Sequence, residues 1–252
     1  MTLQANFCEV IVTNMFIVAD KRIILSEYPS CYACDAAKTS MDHAPPISFF
    51  PKNGNYRKDL IKVPSCDRHN SQKSGDDEYA RWHLATLDGI NHCGEMVLTD
   101  YLYPKAEKDW RERGGAFIRR LQNEVTEVSP ECVVGKIDPE RMLRFLKTCA
   151  QAVYFFQTFK KLTVPLYVVN LGNDFRDSKK AEELRKKEIF FDSELADCEI
   201  HGANPEVFHF SICEKPNDNI ILIRMVFYGA LKHWIYHHPQ AVQQYDETTD
   251  AN

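Results

Sequence analysis

The 252-residue chain contains no apolar run approaching the roughly 18 residues that span a bilayer, which argues against a membrane-crossing helix. Its opening stretch, MTLQANFCEVIVTNMFIVADKR, has no basic leader, no sustained apolar core and no small-residue cleavage site, so it does not read as a signal peptide. There is no Walker loop, no dinucleotide fingerprint and no serine elbow, which leaves the commonest nucleotide-binding and hydrolase signatures out. No internal repeat occurs, so a solenoid is not expected. An even, regularly spaced cysteine framework is also missing. The nine cysteines are odd in number and irregular outside one cluster, which suits a reduced, cytoplasmic chain. Positive charge is lacking overall: the formal net charge is -5, so the whole chain is no magnet for polyanions.

What is present begins with composition. Hydrophobic residues make up 44% and charged residues 27%, the balance of a globular protein with a sizeable core. The shift in composition near residue 100 divides the chain into a small metal-organised part, 1–100, and a larger α+β part, 101–252. Residues 1–30 carry two β-branched patches, EVIVTNMFIV and RIILSEY, which predict two strands around ADKR. Residues 31–73 are turn-rich with little periodicity. A helix is expected from the Cys66 region to about Leu87 with Gly89 closing it, or from Ser74 if Ser74 and Asp77 form a capping box. Pro104 opens a further helix that Gly114 and Gly115 bend or split.

The clearest helix is DPERMLRFLKTCAQAVYFFQTFKKL. Asp138 caps it, Pro139 takes the first turn, and Met142, Phe145, Leu146, Cys149, Val153 and Phe156 form its core stripe. VPLYVVNLG predicts a strand and DSKKAEELRKKEIF a solvated helix. EVFHFSICE and NIILIRMVFYGALKHW, joined by KPND, predict a β-hairpin. Cys8, Cys93, Cys132, Cys149, Cys198 and Cys213 read as small core hydrophobes. His237 and His238 read as a solvated helix end, and the acidic tail DETTDAN as frayed.

That leaves Cys31, Cys34 and Cys66. Cys31-x2-Cys34 and Cys66-x2-His69 are two knuckles separated by thirty-one residues. A two-residue gap turns both side chains of a pair toward one ion, and three thiolates with an imidazole suit tetrahedral zinc. Four protein ligands leave no open position, so the site would be structural and would supply folding energy to a segment with little core of its own. Between the knuckles stands Asp42-His43, and Asn70 directly follows the last ligand, so the ion draws these three together. His43, titrating near neutrality, suits a general base. Asp42 and Asn70 offer hard oxygens for magnesium or manganese. If the helix begins inside the second knuckle, Asn70, Lys73 or Ser74, and Asp77 share a face that would look toward His43. Lys52, Arg57, Lys58, Lys62, Arg68 and Lys73 against Asp59 and Asp67 give residues 51–73 a local net of +4. Arg68 and Lys73 are the candidates to hold phosphate.

The combination CYAC, then DHAPP, then VPSCDRHNSQKSGDDEY resembles the HNH, or ββα-metal, endonuclease superfamily. It resembles in particular the zinc-stabilised treble-clef branch, which includes phage junction-resolving endonucleases and bacterial HNH proteins. The resemblance covers residues 31 to about 80. Weaker likeness to the same bacterial proteins continues beyond residue 140. It implies an α+β protein with a treble-clef module, His43 as base, Asp42 and Asn70 on a catalytic magnesium or manganese ion, and a structural zinc on Cys31, Cys34, Cys66 and His69. It implies DNA as substrate, a homodimer for concerted cutting, and a role in restriction, defence or recombination. The net charge of -5 argues against unaided tight binding of duplex, so the C-terminal region is expected to contact a partner protein or to limit activity. Two departures stand out. His69 replaces the more usual fourth cysteine. Glu78 and Tyr79 stand where many members place a further histidine, which leaves Asp77, Glu78 or His83 as third metal ligand. A non-catalytic zinc module and an RNA nuclease are the rival readings.

Overall fold

The computed structural model describes residues 21–87, 89–116, 119, 125–129, 132–135, 137–169 and 178–240. The first apolar patch, EVIVTNMFIV, and the acidic tail lie outside these residues. Within them the protein is mixed helix and sheet, an α+β architecture.

Residues 21–27 form a helix, α1, not the strand that RIILSEY suggested. Only Leu25 of its aliphatic residues is buried, at 1% exposure, while Ile23 and Ile24 are 62% and 53% exposed. A helical period of three joins Leu25 to Tyr28, whose ring meets Phe155 edge-on at 5.0 Å. Packing against a distant helix therefore overrides the β propensity of the patch.

The knuckle region holds a short antiparallel pair, β1 (Ser40–His43) and β2 (Lys62–Ser65). Asp42 pairs with Val63 and His43 with Lys62. After β2 come two single 3-10 turns, Asp67–His69 and Ser71–Lys73, and then α2 (Ser74–Ala85). The helix proper thus begins at Ser74. No side-chain cap bond forms there, because Asp77 is taken by Lys73 at 2.6 Å. Next are α3 (His92–Val97), a π turn at Leu98–Leu102 and α4 (Tyr103–Arg113). Gly114 ends α4 at φ 62°, a left-handed position that glycine takes without strain.

β3 (Val125–Ser129) and β4 (Cys132–Gly135) form a separate antiparallel ladder. It precedes α5 (Pro139–Thr158), the central helix, whose Asp138 cap accepts from the Glu140 and Arg141 amides. Of its expected stripe, Met142, Phe145, Leu146, Cys149 and Val153 are buried, whereas Phe155 rather than Phe156 completes the core face. β5 (Tyr167–Val168), α6 (Ser178–Glu194), β6 (His201–Asn204), β7 (Phe208–Lys215), β8 (Ile220–Phe227) and β9 (Leu231–His237) follow. The strands make one antiparallel sheet in the order β5-β9-β8-β7-β6.

The β7–β8 hairpin turns at KPND as expected, but NIILIRMVFYGALKHW is two strands. Tyr228 and Gly229 both have positive φ and fold the chain back. The Tyr228 ring is fully buried and its hydroxyl donates to the Phe49 carbonyl at 3.1 Å. His237 is no helix end. It closes β9 at 3% exposure, with ring atoms bonded to the Pro165 carbonyl and the Asn219 amide.

Phe49, from the β1–β2 connection, lies parallel to Phe145 of α5 at 5.1 Å and 5.9 Å from Phe227 of the sheet. Helix, sheet and knuckle region so share one buried cluster running from Leu25 to Ile235. The start of α2 is tied to the start of α5 through Asp76, which accepts from Arg141 and Arg144 at 2.9 and 2.7 Å. Cys93 and Cys149 are buried, as expected of core thiols; Cys198 and Cys213 are only partly so. Among the described residues no helix is long and apolar enough to cross a membrane.

Candidate functional site

The first knuckle is a tight turn on the surface of β2. The Cys31 amide donates to the Ala36 carbonyl, the Ala33 amide to the Cys31 sulfur, and the Tyr32 amide to the Pro64 carbonyl. In the second, the 3-10 turn returns the His69 amide to the Cys66 carbonyl at 3.1 Å. The four side chains converge. His69 Nδ1 is 3.5 Å from Cys31 Sγ, 3.5 Å from Cys34 Sγ and 3.3 Å from Cys66 Sγ, and Cys34 and Cys66 are 3.8 Å apart at sulfur.

These separations carry a test of fit. A tetrahedral ion with metal–sulfur bonds of about 2.3 Å and metal–nitrogen bonds of about 2.0 Å has edges of roughly 3.8 Å between sulfurs and 3.5 Å between sulfur and nitrogen. The three sulfur–nitrogen edges and the Cys34–Cys66 edge match, and all four ligand atoms lie within 4.8 Å of one another, so Cys31, Cys34, Cys66 and His69 could hold a metal ion and are compatible with zinc. Burial, with Arg68 and Lys73 nearby, lowers the His69 pKa and keeps the ring in the neutral form that binds metal. Burial pushes the Cys66 thiol up, but the His69 backbone amide and the neighbouring cysteines outweigh it, and the net shift is downward. The Tyr32 hydroxyl donates to the His69 carbonyl at 3.4 Å, and Lys161 reaches the Cys34 carbonyl at 2.8 Å, so the shell around the cluster is itself bonded.

Beside this cluster is a buried charge group. Asp42 is 6% exposed and faces Lys73 Nζ at 3.2 Å; Lys73 also holds Asp77 at 2.6 Å. Asn70 donates to Ser40 Oγ at 2.8 Å and makes no cap bond. Because side chains alternate along a strand, Ser40 and Asp42 share one side of β1 and His43 takes the other. The face formed by Asn70, Lys73 and Asp77 is bonded to Ser40 and Asp42, and Lys73 also lies near enough to the His43 ring to bear on its charge. His43 is half-buried, and among the described residues no hydrogen bond engages its ring. Burial, then Lys62 and Lys73, lowers its pKa, so the free-base form prevails at neutral pH.

The other candidates separate. Asp77 joins Asp42 through Lys73. Glu78 instead pairs with Lys105 and lies 3.7 Å from Arg81, and His83 packs against the Tyr79 ring at 4.2 Å. Arg68 lines an open groove of about 380 Å3 whose wall includes Lys73, Asp77, Arg144 and Lys147. Sequence reasoning missed the cationic contribution of α5 to this groove, and it missed that Asp76 is committed to α5. The i,i+4 spacing of Lys73 and Asp77 was a usable signal of their pairing.

Burial raises the Asp42 carboxyl to about 6, with Lys73 opposing. The sign follows from proton binding. A folded pKa above the unfolded value of about 4 means that the folded state holds an extra proton between those values, so stability falls as pH rises from about 4 to 6. The loss is on the order of 3 kcal/mol and is complete above pH 6. Asp42→Asn should therefore raise stability at pH 8, by about 1–3 kcal/mol, in urea unfolding without added magnesium. A destabilised variant at that pH would remove this account of Asp42.

Comparisons with protein-family models, with curated proteins and with solved structures return no match to this chain. The functional reading rests on the site.

Proposed function

We propose that the protein is a metal-dependent endonuclease of the HNH type that hydrolyses phosphodiester bonds in DNA. The observation that carries this reading is the order of parts: a hairpin, β1–β2, then α2, with a closed thiol–imidazole cluster straddling it and Asp42-His43 at the end of the first strand. In this reading Cys31, Cys34, Cys66 and His69 hold a structural zinc that seats the hairpin against the helix, a treble-clef arrangement. Asp42 and Asn70 are oxygen donors on one side of β1, with Asp77 adjoining, and this donor set fits magnesium or manganese. When bound there, such an ion polarises the phosphate and stabilises the leaving oxygen.

The chain's own groups do the rest. A nitrogen of the His43 ring takes the proton of the attacking water, which its depressed pKa permits at neutral pH. Lys73 keeps Asp42 and Asp77 charged and close together. Arg68, Arg144 and Lys147 line the groove and hold the strand by its phosphates. With a net charge of -5, affinity for duplex would come from this rim, and a second copy or a protein partner would supplement it. A place in bacterial or phage restriction, defence or recombination is part of the proposal.

The second reading, a non-catalytic zinc module, is favoured by one contact. Lys73 already balances Asp42 and Asp77, so the carboxylates need no divalent ion to be stable. Supercoiled plasmid, single-stranded DNA and RNA, each incubated with magnesium, with manganese and with no added divalent ion, decide between them. We expect nicked plasmid with either metal and none without. Cleavage confined to RNA would change the substrate, and no cleavage of any substrate would favour the binding module.

A further inference from the structure

We propose that His92, Cys93 and Glu206 form a second transition-metal site of the zinc class, with Tyr56 at its open position. Their ligand atoms all lie within 4.8 Å of one another, and none belongs to the Cys31 cluster. Three distant segments build the group: the start of α3, the turn between β6 and β7, and the β1–β2 connection. Cys93 Sγ is 3.5 Å from His92 Nε2, the same sulfur–nitrogen separation that Cys31 and Cys34 show to His69. Tyr56 contributes its hydroxyl 3.0 Å from His92 Nε2.

The framework holds these residues in place. Asn91 accepts from the Cys93 and Gly94 amides at 3.0 and 3.4 Å, and its own side-chain amide donates to the Glu206 carbonyl at 2.7 Å. Its backbone amide donates to Tyr228, whose amide in turn donates to Val207. A Cβ on Gly94 would come within 2.9 Å of Ile90 and 3.2 Å of Tyr228, so the backbone at α3 has no room to shift. One residue thus fixes both the helix that carries His92 and Cys93 and the turn that carries Glu206.

The donor set selects the ion. One thiolate, one imidazole and one carboxylate are borderline ligands that suit zinc over magnesium or calcium. Three protein ligands leave a fourth position, unlike the closed cluster at Cys31. Cys93 is fully buried while His92 and Glu206 are exposed, so an ion would seat from the solvent side with the sulfur behind it. Burial raises the Cys93 thiol, so without metal it stays protonated; binding releases that proton to solvent.

The test uses the intact chain and needs no substrate, so its result is independent of the nuclease reading. Metal content is measured after zinc loading, and Co2+ is titrated while thiolate charge-transfer absorption is followed. We expect two equivalents in the wild type. His92→Ala and Glu206→Gln, both at exposed positions, should each weaken the second equivalent by more than the roughly 10–100-fold that an outer-shell loss costs. Cys93→Ser should also lower the charge-transfer intensity by about one quarter, one thiolate of four. A wild type that takes a single equivalent overturns the proposal, as does a second equivalent that survives both His92→Ala and Glu206→Gln.

Discussion

His43→Ala is expected, on the proposed nuclease reading, to lower metal-dependent cleavage by about 10²–10⁴-fold, the range in which a positioned general base contributes. The ring is the neutral base that stands next to Asp42 in β1. It is half-buried, engaged by no hydrogen bond among the described residues, and held in its basic form by burial and by Lys62 and Lys73. Removing it should leave the fold intact, because the buried interactions of β1 run through Asp42 and Ser40 on the other side of the strand. The variant should retain its zinc and its circular dichroism. In the wild type the rate should fall with acidity as His43 gains a proton below its ordinary value of about 6.5, and again as the Asp42 carboxyl, at about 6, becomes neutral. The acid limb should then be steeper than one proton allows. A variant that cleaves as fast as the wild type would take His43 out of the mechanism, whatever becomes of the rest.

On the proposed zinc reading of the cluster, Cys31→Ser should remove the ion and loosen the knuckle region. Zinc bound by cysteine and histidine contributes on the order of 10–16 kcal/mol in small metal-folded peptides, comparable to the whole stability of a domain at roughly 5–15 kcal/mol. Apart from the ion, residues 31–39 are held by the buried Tyr32 ring, by Lys161 on the Cys34 carbonyl and Asp35, and by the bonds of the knuckle backbone to β2. Loss of the ion would leave the imidazole beside three thiols in the chelated wild type, and beside two in the variant, with no cation to hold them together. Thermal unfolding with and without a strong chelator measures the effect, with metal content as the second readout. The chelated wild type and the variant should melt alike and well below the loaded protein. A zinc-free variant that melts with the wild type would contradict a structural ion.

The thiol–imidazole cluster was legible because its geometry is local. A gap of two residues can only bring its flanking side chains to one side of a turn, and two such pairs in one chain point to one ion. α5 was legible for the same kind of reason: Asp138, Pro139 and a three-and-four stripe are all read within twenty residues. The path at either end of the sheet was not. RIILSEY carries β-formers yet is helical, because Leu25 and Tyr28 pack on α5. The run from Asn219 to Trp234 reads as one strand, yet Tyr228 and Gly229 divide it, because the Tyr228 ring has a buried place beneath Phe49.

Within the candidate site the same division holds. Residue types and spacings alone determined which side chains form the thiol–imidazole cluster and that an aspartate and a histidine stand between its halves. Only the tertiary structure decided that Lys73 lies between Asp42 and Asp77, that Asn70 reaches Ser40, that α5 supplies Arg144 and Lys147 to the groove, and that Glu206 meets Cys93 across more than a hundred residues. Short-range spacing is set by backbone geometry, which sequence encodes directly. Contacts between distant segments depend on how helices and strands pack, and no local pattern of residues records that.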